Sequence, residues 1–129
     1  MVLRKPNILW LMTDQHHADC LGFGRPECRT PHLDALAAEG VWFERAYCNN
    51  PICAPSRASY LTGQYLHTHG LQGNNVQEFP QPRSDNVAAL FRKSGYRTGL
   101  FGKAHLPKLW VEEGFERFRF TDLCDADRE

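Results

Sequence analysis

The chain has 129 residues and a formal net charge of +0, with 15 Lys and Arg residues against 15 Asp and Glu residues. This length suits a single small domain, and the balanced charge provides neither a basic field for nucleic acid nor an acidic tail. Hydrophobic residues make up 42% of the chain, yet no apolar run approaches the roughly 18 residues needed to cross a bilayer. We therefore expect neither a nucleic acid nor a membrane among its partners.

The chain contains five cysteines, which are Cys20, Cys28, Cys48, Cys53 and Cys124. The first six residues lack the apolar core and cleavage site of a signal peptide. An odd number of cysteines without a signal sequence indicates reduced thiols. We therefore expect a cytoplasmic location.

The first part of the chain is predicted to contain two strands and one helix. Residues 7–12 form a continuous apolar run, which is typical of a buried strand. Thr30 is a suitable N-cap for a helix over residues 32–39, and Gly40 is a suitable end for it. Residues 41–47 then show the pattern of a second strand.

The second part is predicted to contain two helices, a long loop and a third strand. Pro55 favours a helix over residues 55–62, because a proline in the first turn loses no hydrogen bond. Residues 64–82 are rich in Gly, Asn, Gln and His and are interpreted as an active-site loop. Asp85 is the expected N-cap of a helix that runs to residue 94, and residues 96–101 form the third strand.

This alternation predicts an α/β fold with a partial parallel, or mixed, sheet flanked by helices. Ligands of such sheets bind outside the carboxyl ends of the strands. Asp14 follows the first predicted strand, Cys53 follows the second by a short loop, and Lys103 and His105 follow the third. We therefore expect three polar clusters to converge on one edge of the sheet.

The segment Cys53-Ala54-Pro55-Ser56-Arg57 carries the strongest chemical signal. Cys53 is predicted at the start of a helix, where backbone N–H groups and the helix dipole attract anions. Arg57 adds a planar, permanently charged donor about one turn later. A nucleophile beside two such features indicates chemistry on an anionic ester. Only three residues separate Cys53 from Arg57, which excludes the Cys-x5-Arg loop of tyrosine phosphatases.

Cys-x-Pro-Ser-Arg, followed here by Ala-Ser-Tyr-Leu-Thr-Gly, resembles the signature of the sulfatases in the alkaline phosphatase superfamily. The resemblance implies that a formylglycine-generating enzyme oxidises Cys53 to formylglycine. It also implies that the hydrated aldehyde attacks the sulfur of a sulfate ester. By the same resemblance, residues 1–129 are the N-terminal segment of a sulfatase catalytic domain, which is incomplete in this chain.

Two further segments support the resemblance. Gly102-Lys103-Ala104-His105-Leu106 is similar to the Gly-Lys-x-His-Leu segment of the family. The similarity implies that Lys103 binds the sulfate oxygens and that His105 hydrogen-bonds the formylglycine diol. His69 precedes a glycine, as a histidine often does in the family, and is expected to be structural or to lie behind the site.

Asp14 and Gln15 offer hard oxygen ligands of the kind that Ca²⁺ and Mg²⁺ prefer. The resemblance implies a divalent metal bound by Asp14, Gln15 and the residue 53 oxygen, with calcium expected and magnesium or manganese as alternatives. Many sulfatases carry two aspartates here, whereas glutamine occurs in branches similar to choline sulfatases and phosphonate monoesterases. A hard cation takes about six ligands, so the others are expected outside this chain.

Two other functions stay open on the sequence. Gln15 favours a phosphonate monoester or phosphodiester hydrolase of the same superfamily, and a non-catalytic remnant or metal-binding module is the third hypothesis. A minor zinc hypothesis uses Cys20 and Cys28 with nearby histidines, although their spacing is wider than that of structural zinc modules. His67 and His69 are a weaker metal pair.

Overall fold

The computed structural model describes residues 4–78 and 85–120. The chain divides into two compact units, Met1–Ala46 and Tyr47–Glu129, and each is described by itself. The first unit contains helix α1, and the second contains the remaining helices and both strands. In chain order these elements are α1 (Pro31–Glu39), α2 (Cys53–Thr62), α3 (Leu66–His69), α4 (Val87–Lys93), β1 (Gly99–Gly102), α5 (Lys108–Gly114) and β2 (Arg117–Phe120), with short 3-10 turns at Ala18–Cys20 and Val76–Glu78.

Helix α1 occupies the predicted position, one residue earlier at its start. Thr30 precedes it as predicted, but its side chain makes no capping bond. Its hydroxyl instead donates to Asp34 Oδ1 at 2.8 Å and accepts the Gly22 N–H at 2.7 Å. Thr30 therefore ties the preceding loop to the helix.

The predicted strands over residues 7–12 and 41–47 are wrong for this structure, because neither segment has regular secondary structure. Their apolar side chains are exposed, as at Leu9 (81%) and Val41 (78%). An apolar run becomes a strand only when its backbone groups pair with a neighbouring strand. The sheet formed by the described residues contains β1 and β2 alone, so neither segment has such a neighbour there.

Helix α2 confirms the predicted helix and begins at Cys53, two residues earlier than expected. It ends at Gly63, whose φ of 67° is left-handed and whose N–H donates to Ser59 O at 2.8 Å. Glycine readily adopts the left-handed conformation at the end of a helix, because it has no Cβ to clash with the backbone. The predicted loop over 64–82 contains α3, and its residues 79–82 lie outside the described residues.

Helix α4 confirms the third predicted helix, but its predicted cap is off by one residue. Asn86, and not Asp85, is the N-cap, since its Oδ1 accepts the Ala89 N–H at 2.8 Å. The helix starts at Val87, and the capping side chain must come from the residue directly before the first helical one.

The two strands form a parallel pair with α5 as the connection between them. Gly99 pairs with Arg117, and the register continues to Gly102 opposite Phe120. Strand β1 confirms the last three residues of the third predicted strand, whereas α5 and β2 were not predicted. A strand, helix and parallel strand confirm the α/β fold class.

Helices α2, α4 and α5 surround the core of the second unit. Trp110 of α5 is 2% exposed and packs in one cluster with the buried alanines of α2. The segment after β1 also enters this cluster, so its backbone is held by apolar packing. The buried members are Ala54, Ala58, Leu61, Leu71, Val76, Ala88, Ala104, Leu106, Trp110 and Val111.

Within residues 4–78 and 85–120, every helix is too short or too polar to cross a membrane.

Replacing Asn86 with alanine should lower the free energy of unfolding by about 1–3 kcal/mol, because the buried side chain also donates to Trp110 O at 3.3 Å. The control Asp85→Ala, at an exposed residue outside the cap, should lower it by less than about half as much. Urea denaturation of the protein that contains this chain measures both values. Equal losses would contradict the assignment of Asn86 as the cap.

Candidate active site

Cys53 is the first residue of α2, and its side chain is half-buried. Ile52 before it is extended, with φ −80° and ψ 140°. Pro55 is the third helical residue, where the missing N–H costs no intrahelical bond. The local sequence therefore places a nucleophilic side chain at the very start of a helix.

Two asparagine side chains bind backbone donors on either side of Cys53. The Ile52 N–H donates to Asn50 Oδ1 at 2.7 Å, and the Ala54 N–H donates to Asn74 Oδ1 at 3.1 Å. Backbone N–H groups at a helix start lack intrahelical acceptors, so these bonds stabilise the first turn. They also fix the backbone that carries Cys53.

Lys103 brings a cation to Cys53 from a distant part of the chain. It directly follows β1, and its Nζ donates to Cys53 Sγ at 3.6 Å. The two residues are 50 positions apart in the chain, so the contact depends on the tertiary fold. A lysine ammonium is a compact positive charge that suits a site for an anion.

Arg57 lies one turn after Cys53 on the same face of α2, at the i, i+4 spacing. It is only 8% exposed, and its Nη1 donates to the Lys103 carbonyl oxygen at 2.6 Å. The structure thus brings together three of the predicted site residues, Cys53, Arg57 and Lys103.

His105 is buried and has a left-handed backbone, with φ 46°. Among the described residues, the only other non-glycine residue with a positive φ is Gln15, with φ 54°. Such conformations cost about 1–3 kcal/mol and cluster at functional sites. Both residues belong to the sites predicted from the sequence, in the second and first unit respectively.

His69 joins α3 to α2 and is 5% exposed. Its Nδ1 accepts the Leu71 N–H at 3.1 Å, so this nitrogen carries no proton. Nε2 therefore carries the proton and donates to Ser59 Oγ at 3.0 Å. Both ring nitrogens are used in holding the loop, which favours a structural role over metal binding. His67 stacks on the Tyr65 ring with the centroids 5.8 Å apart.

Asp14 and Gln15 belong to the first unit, where both side chains are exposed. In the part of the chain that the structure describes, no group of three or more His, Cys, Asp or Glu side chains could hold a metal. Asp14 and Gln15 thus supply oxygen donors of the right type for a hard cation, without a complete ligand set.

The residues of the zinc hypothesis make local contacts in the first unit. The Cys28 thiol donates to Asp19 O at 3.5 Å, and His16 Nε2 lies 3.3 Å from Cys20 O. These contacts shape the loop around the 3-10 turn Ala18–Cys20. They do not favour the zinc hypothesis.

The sequence analysis did not predict that Asn50 and Asn74 would bind the backbone at the start of α2. Asn50 lies two residues before Ile52, a spacing typical of a local asparagine turn, so a signal for it was present. Asn74 lies 20 residues from Ala54. No local pattern links such a pair, and only the folded chain reveals it.

A family model described as Sulfatase matches residues 6–128. The chain belongs to the sulfatase family. The match covers the Cys53 segment as well as the Lys103 and His105 segment, which the structure places in one unit. The family resemblance of these motifs is thereby confirmed.

Several curated relatives of this sulfatase chain are similar over most of its length. An ulvan-active sulfatase of Formosa agariphila is 44% identical over 91% of the chain, and an arylsulfatase of Clostridium perfringens is 43% identical over 79%. A choline-sulfatase of Rhizobium meliloti is 36% identical over 98%. The aligned parts make up only 22%, 21% and 25% of these relatives. The chain therefore spans about a quarter or less of their length.

We expect ¹⁵N NMR of the imidazole of His69 to show the proton on Nε2 and none on Nδ1. Ser59→Ala should lower the free energy of unfolding by about 1 kcal/mol, because the buried Nε2–H loses its acceptor. Thr68→Ala, an exposed change in α3, the helix that carries His69, should cost less than about 0.5 kcal/mol. A proton on Nδ1 would contradict the assigned hydrogen bonds.

Proposed function

We propose that the protein containing this chain hydrolyses sulfate esters, and that this segment carries the nucleophile and the cations next to it. The observation that carries the proposal is the 3.6 Å contact between Lys103 Nζ and Cys53 Sγ, two residues within the range 6–128 that the sulfatase family model matches. A cation fixed beside a nucleophile suits an anionic ester, because it offsets the charge that the substrate brings. Family membership supports the reaction class.

Residue 53 is proposed to work as formylglycine, produced from Cys53 by a formylglycine-generating enzyme. In the structure, Sγ stands in for the oxygen that Cβ would then carry. When the group is present, one hydroxyl of its hydrated aldehyde supplies the nucleophile, and the other allows release of sulfate by elimination. The half-buried position of Cys53 keeps this atom accessible to a substrate while α2 holds it in place.

The chain's own residues are proposed to bind the ester and manage its charge. Lys103 binds the sulfate oxygens, and Arg57 adds a second positive charge one helical turn from residue 53. His105, two residues after Lys103, hydrogen-bonds the oxygens on residue 53 and transfers a proton, as an imidazole can near neutral pH. Its burial and strained backbone support a defined orientation for the ring.

A divalent metal is proposed to be held in part by Asp14 and Gln15 of the first unit, with calcium expected and magnesium or manganese as alternatives. The donors fit a hard cation in type but not in number, given the absence of a complete group within residues 4–78 and 85–120. Such a metal would supply Lewis-acid polarisation of the sulfate.

We further propose, on the family resemblance, that residues 1–129 are the N-terminal segment of the catalytic domain. The chain spans about a fifth of the ulvan-active and aryl sulfatases that it matches, which supports a partial domain. Additional sequence would then supply the remaining metal ligands. We also propose a cytoplasmic location, because an odd number of cysteines indicates thiols that stay reduced.

A second candidate function is hydrolysis of phosphonate monoesters or phosphodiesters. Gln15 favours it, because an amide in place of a carboxylate lowers the negative charge of the metal site by one. The same residue is compatible with the choline-sulfatase-like branch, and the chain is 36% identical to a choline-sulfatase of Rhizobium meliloti. A non-catalytic remnant or metal-binding module would leave Cys53 as an unmodified thiol.

Coexpression with a formylglycine-generating enzyme should lower the mass of the peptide that holds Cys53 by about 18 Da. Peptide mass spectrometry measures this change, and the Cys53→Ala protein is the control that cannot show it. A peptide that retains unmodified cysteine in the coexpressed protein would contradict formylglycine chemistry and favour the non-catalytic alternative.

Lys103→Met should lower kcat/KM for an aryl sulfate by about 100-fold or more, because a cation beside the transferred group is lost. Lys108→Met is the matched control and should change kcat/KM by less than about twofold, since its Nζ makes only an exposed ion pair with Glu112 at 3.7 Å. Parallel assays on an aryl sulfate and a phenyl phosphonate ester identify the preferred substrate. Equal effects of the two lysines would contradict the role of Lys103.

A further inference from the structure

We propose that Arg57 is a positioning residue that holds Lys103 beside residue 53 through the main-chain carbonyl of Lys103. The bond from Arg57 Nη1 to this oxygen is 2.6 Å long and joins residues 46 positions apart. One guanidinium nitrogen of Arg57 therefore donates a hydrogen bond to the protein backbone. The kinetic part of this proposal rests on the proposed function, whereas its geometric part does not.

The burial of Arg57 supports this role. The side chain is only 8% exposed, although arginine is rarely buried without partners. A guanidinium keeps its charge at all accessible pH values and offers donors in a rigid plane. Its bond to a carbonyl oxygen is therefore charge-assisted, short and directional. Such a bond suits the fixing of a backbone segment.

The segment around Lys103 needs such a restraint because its backbone is unusual. Gly102 before it has φ 96°, which glycine adopts without strain, whereas His105 after it has φ 46°, which is strained for a residue with a Cβ. Strained conformations persist only where the surrounding structure over-determines them. Buried Ala104 and Leu106 anchor the segment on the core side. Arg57 is the charged anchor on the side of α2.

Helix α2 carries both partners of the Lys103 residue, Cys53 and Arg57, on one face. Cys53 and Arg57 are at the i, i+4 spacing of α2, so their side chains are neighbours. Lys103 meets Cys53 with its side chain and Arg57 with its backbone. Arg57 thereby restrains the backbone segment that carries the lysine ammonium next to residue 53.

A double-mutant cycle separates this indirect role from direct binding of substrate by Arg57. In the whole protein, with rates expressed per formylglycine, Arg57→Met should lower kcat/KM for an aryl sulfate by about 10-fold or more. In the Lys103→Met background the same change should cost at least about fivefold less, because the residue that it positions is already gone and only the charge of Arg57 itself remains to be lost. A smaller difference between the two losses overturns the proposal.

Arg57→Lys provides a charge-preserving comparison. A lysine keeps the positive charge but lacks the planar set of donors. Positioning through the carbonyl predicts that Arg57→Lys loses at least about half of the effect of Arg57→Met, on a logarithmic scale. Near-complete retention of kcat/KM would show that charge alone matters, and would overturn the proposal.

A cross-linking experiment tests the geometry without any sulfatase activity. In protein made without the modifying enzyme, a short reagent that joins a thiol to an amine should link Cys53 to Lys103, as detected by peptide mass spectrometry. Arg57→Met should lower this yield by about fivefold or more. Asn86→Ala, a destabilising change in α4, should leave it within about twofold. An unchanged yield in Arg57→Met, or an equal loss in both variants, overturns the proposal.

The kinetic and the cross-linking measurements together distinguish failure of the proposed function from failure of the positioning role. If the protein has no sulfatase activity, the proposed function fails, and the cross-linking yield still decides whether Arg57 positions Lys103. If activity is present but both the cycle and the yields show independent residues, only the positioning role fails.

Discussion

The hydrogen bond from Arg57 to the Lys103 carbonyl is the interaction on which the candidate site depends. It joins helix α2 to the segment after β1, across 46 residues of chain. Because Cys53 and Arg57 share one helix face, this single bond brings the lysine segment next to the nucleophile. The 3.6 Å contact between Lys103 Nζ and Cys53 Sγ follows from that arrangement.

Apolar packing surrounds this polar junction and keeps it rigid. Ala54 and Ala58, one turn apart on α2, are fully buried beside the face that carries Cys53 and Arg57. Ala104 enters the same cluster from the segment after β1. Small side chains allow the two backbones to approach closely, so the polar groups can meet at hydrogen-bond distance. His69 adds a second tie to α2, through Ser59.

The predictions from sequence succeeded where the signal was local. Gly63 ends α2 with a left-handed backbone, as a glycine after a helix indicates. The position of α4 was correct, but its cap was assigned to Asp85 because Asp85 and Asn86 are both good capping residues. The predicted strands over residues 7–12 and 41–47 failed, since strand formation depends on a partner that a local pattern does not reveal. The contact of Asn74 with Ala54 has no local signal at all.

The sequence by itself determined the family, the helix that starts at the Cys53 signature, and the residue types available for chemistry on an anionic ester. These features depend on side-chain identity and on interactions between residues close in the chain. Only the tertiary structure decided which residues meet: that Lys103 contacts Cys53, that Arg57 binds a backbone carbonyl, and that His69 of α3 meets Ser59 of α2. Contacts between residues tens of positions apart form when the chain packs its apolar faces together, and sequence spacing carries no record of that geometry.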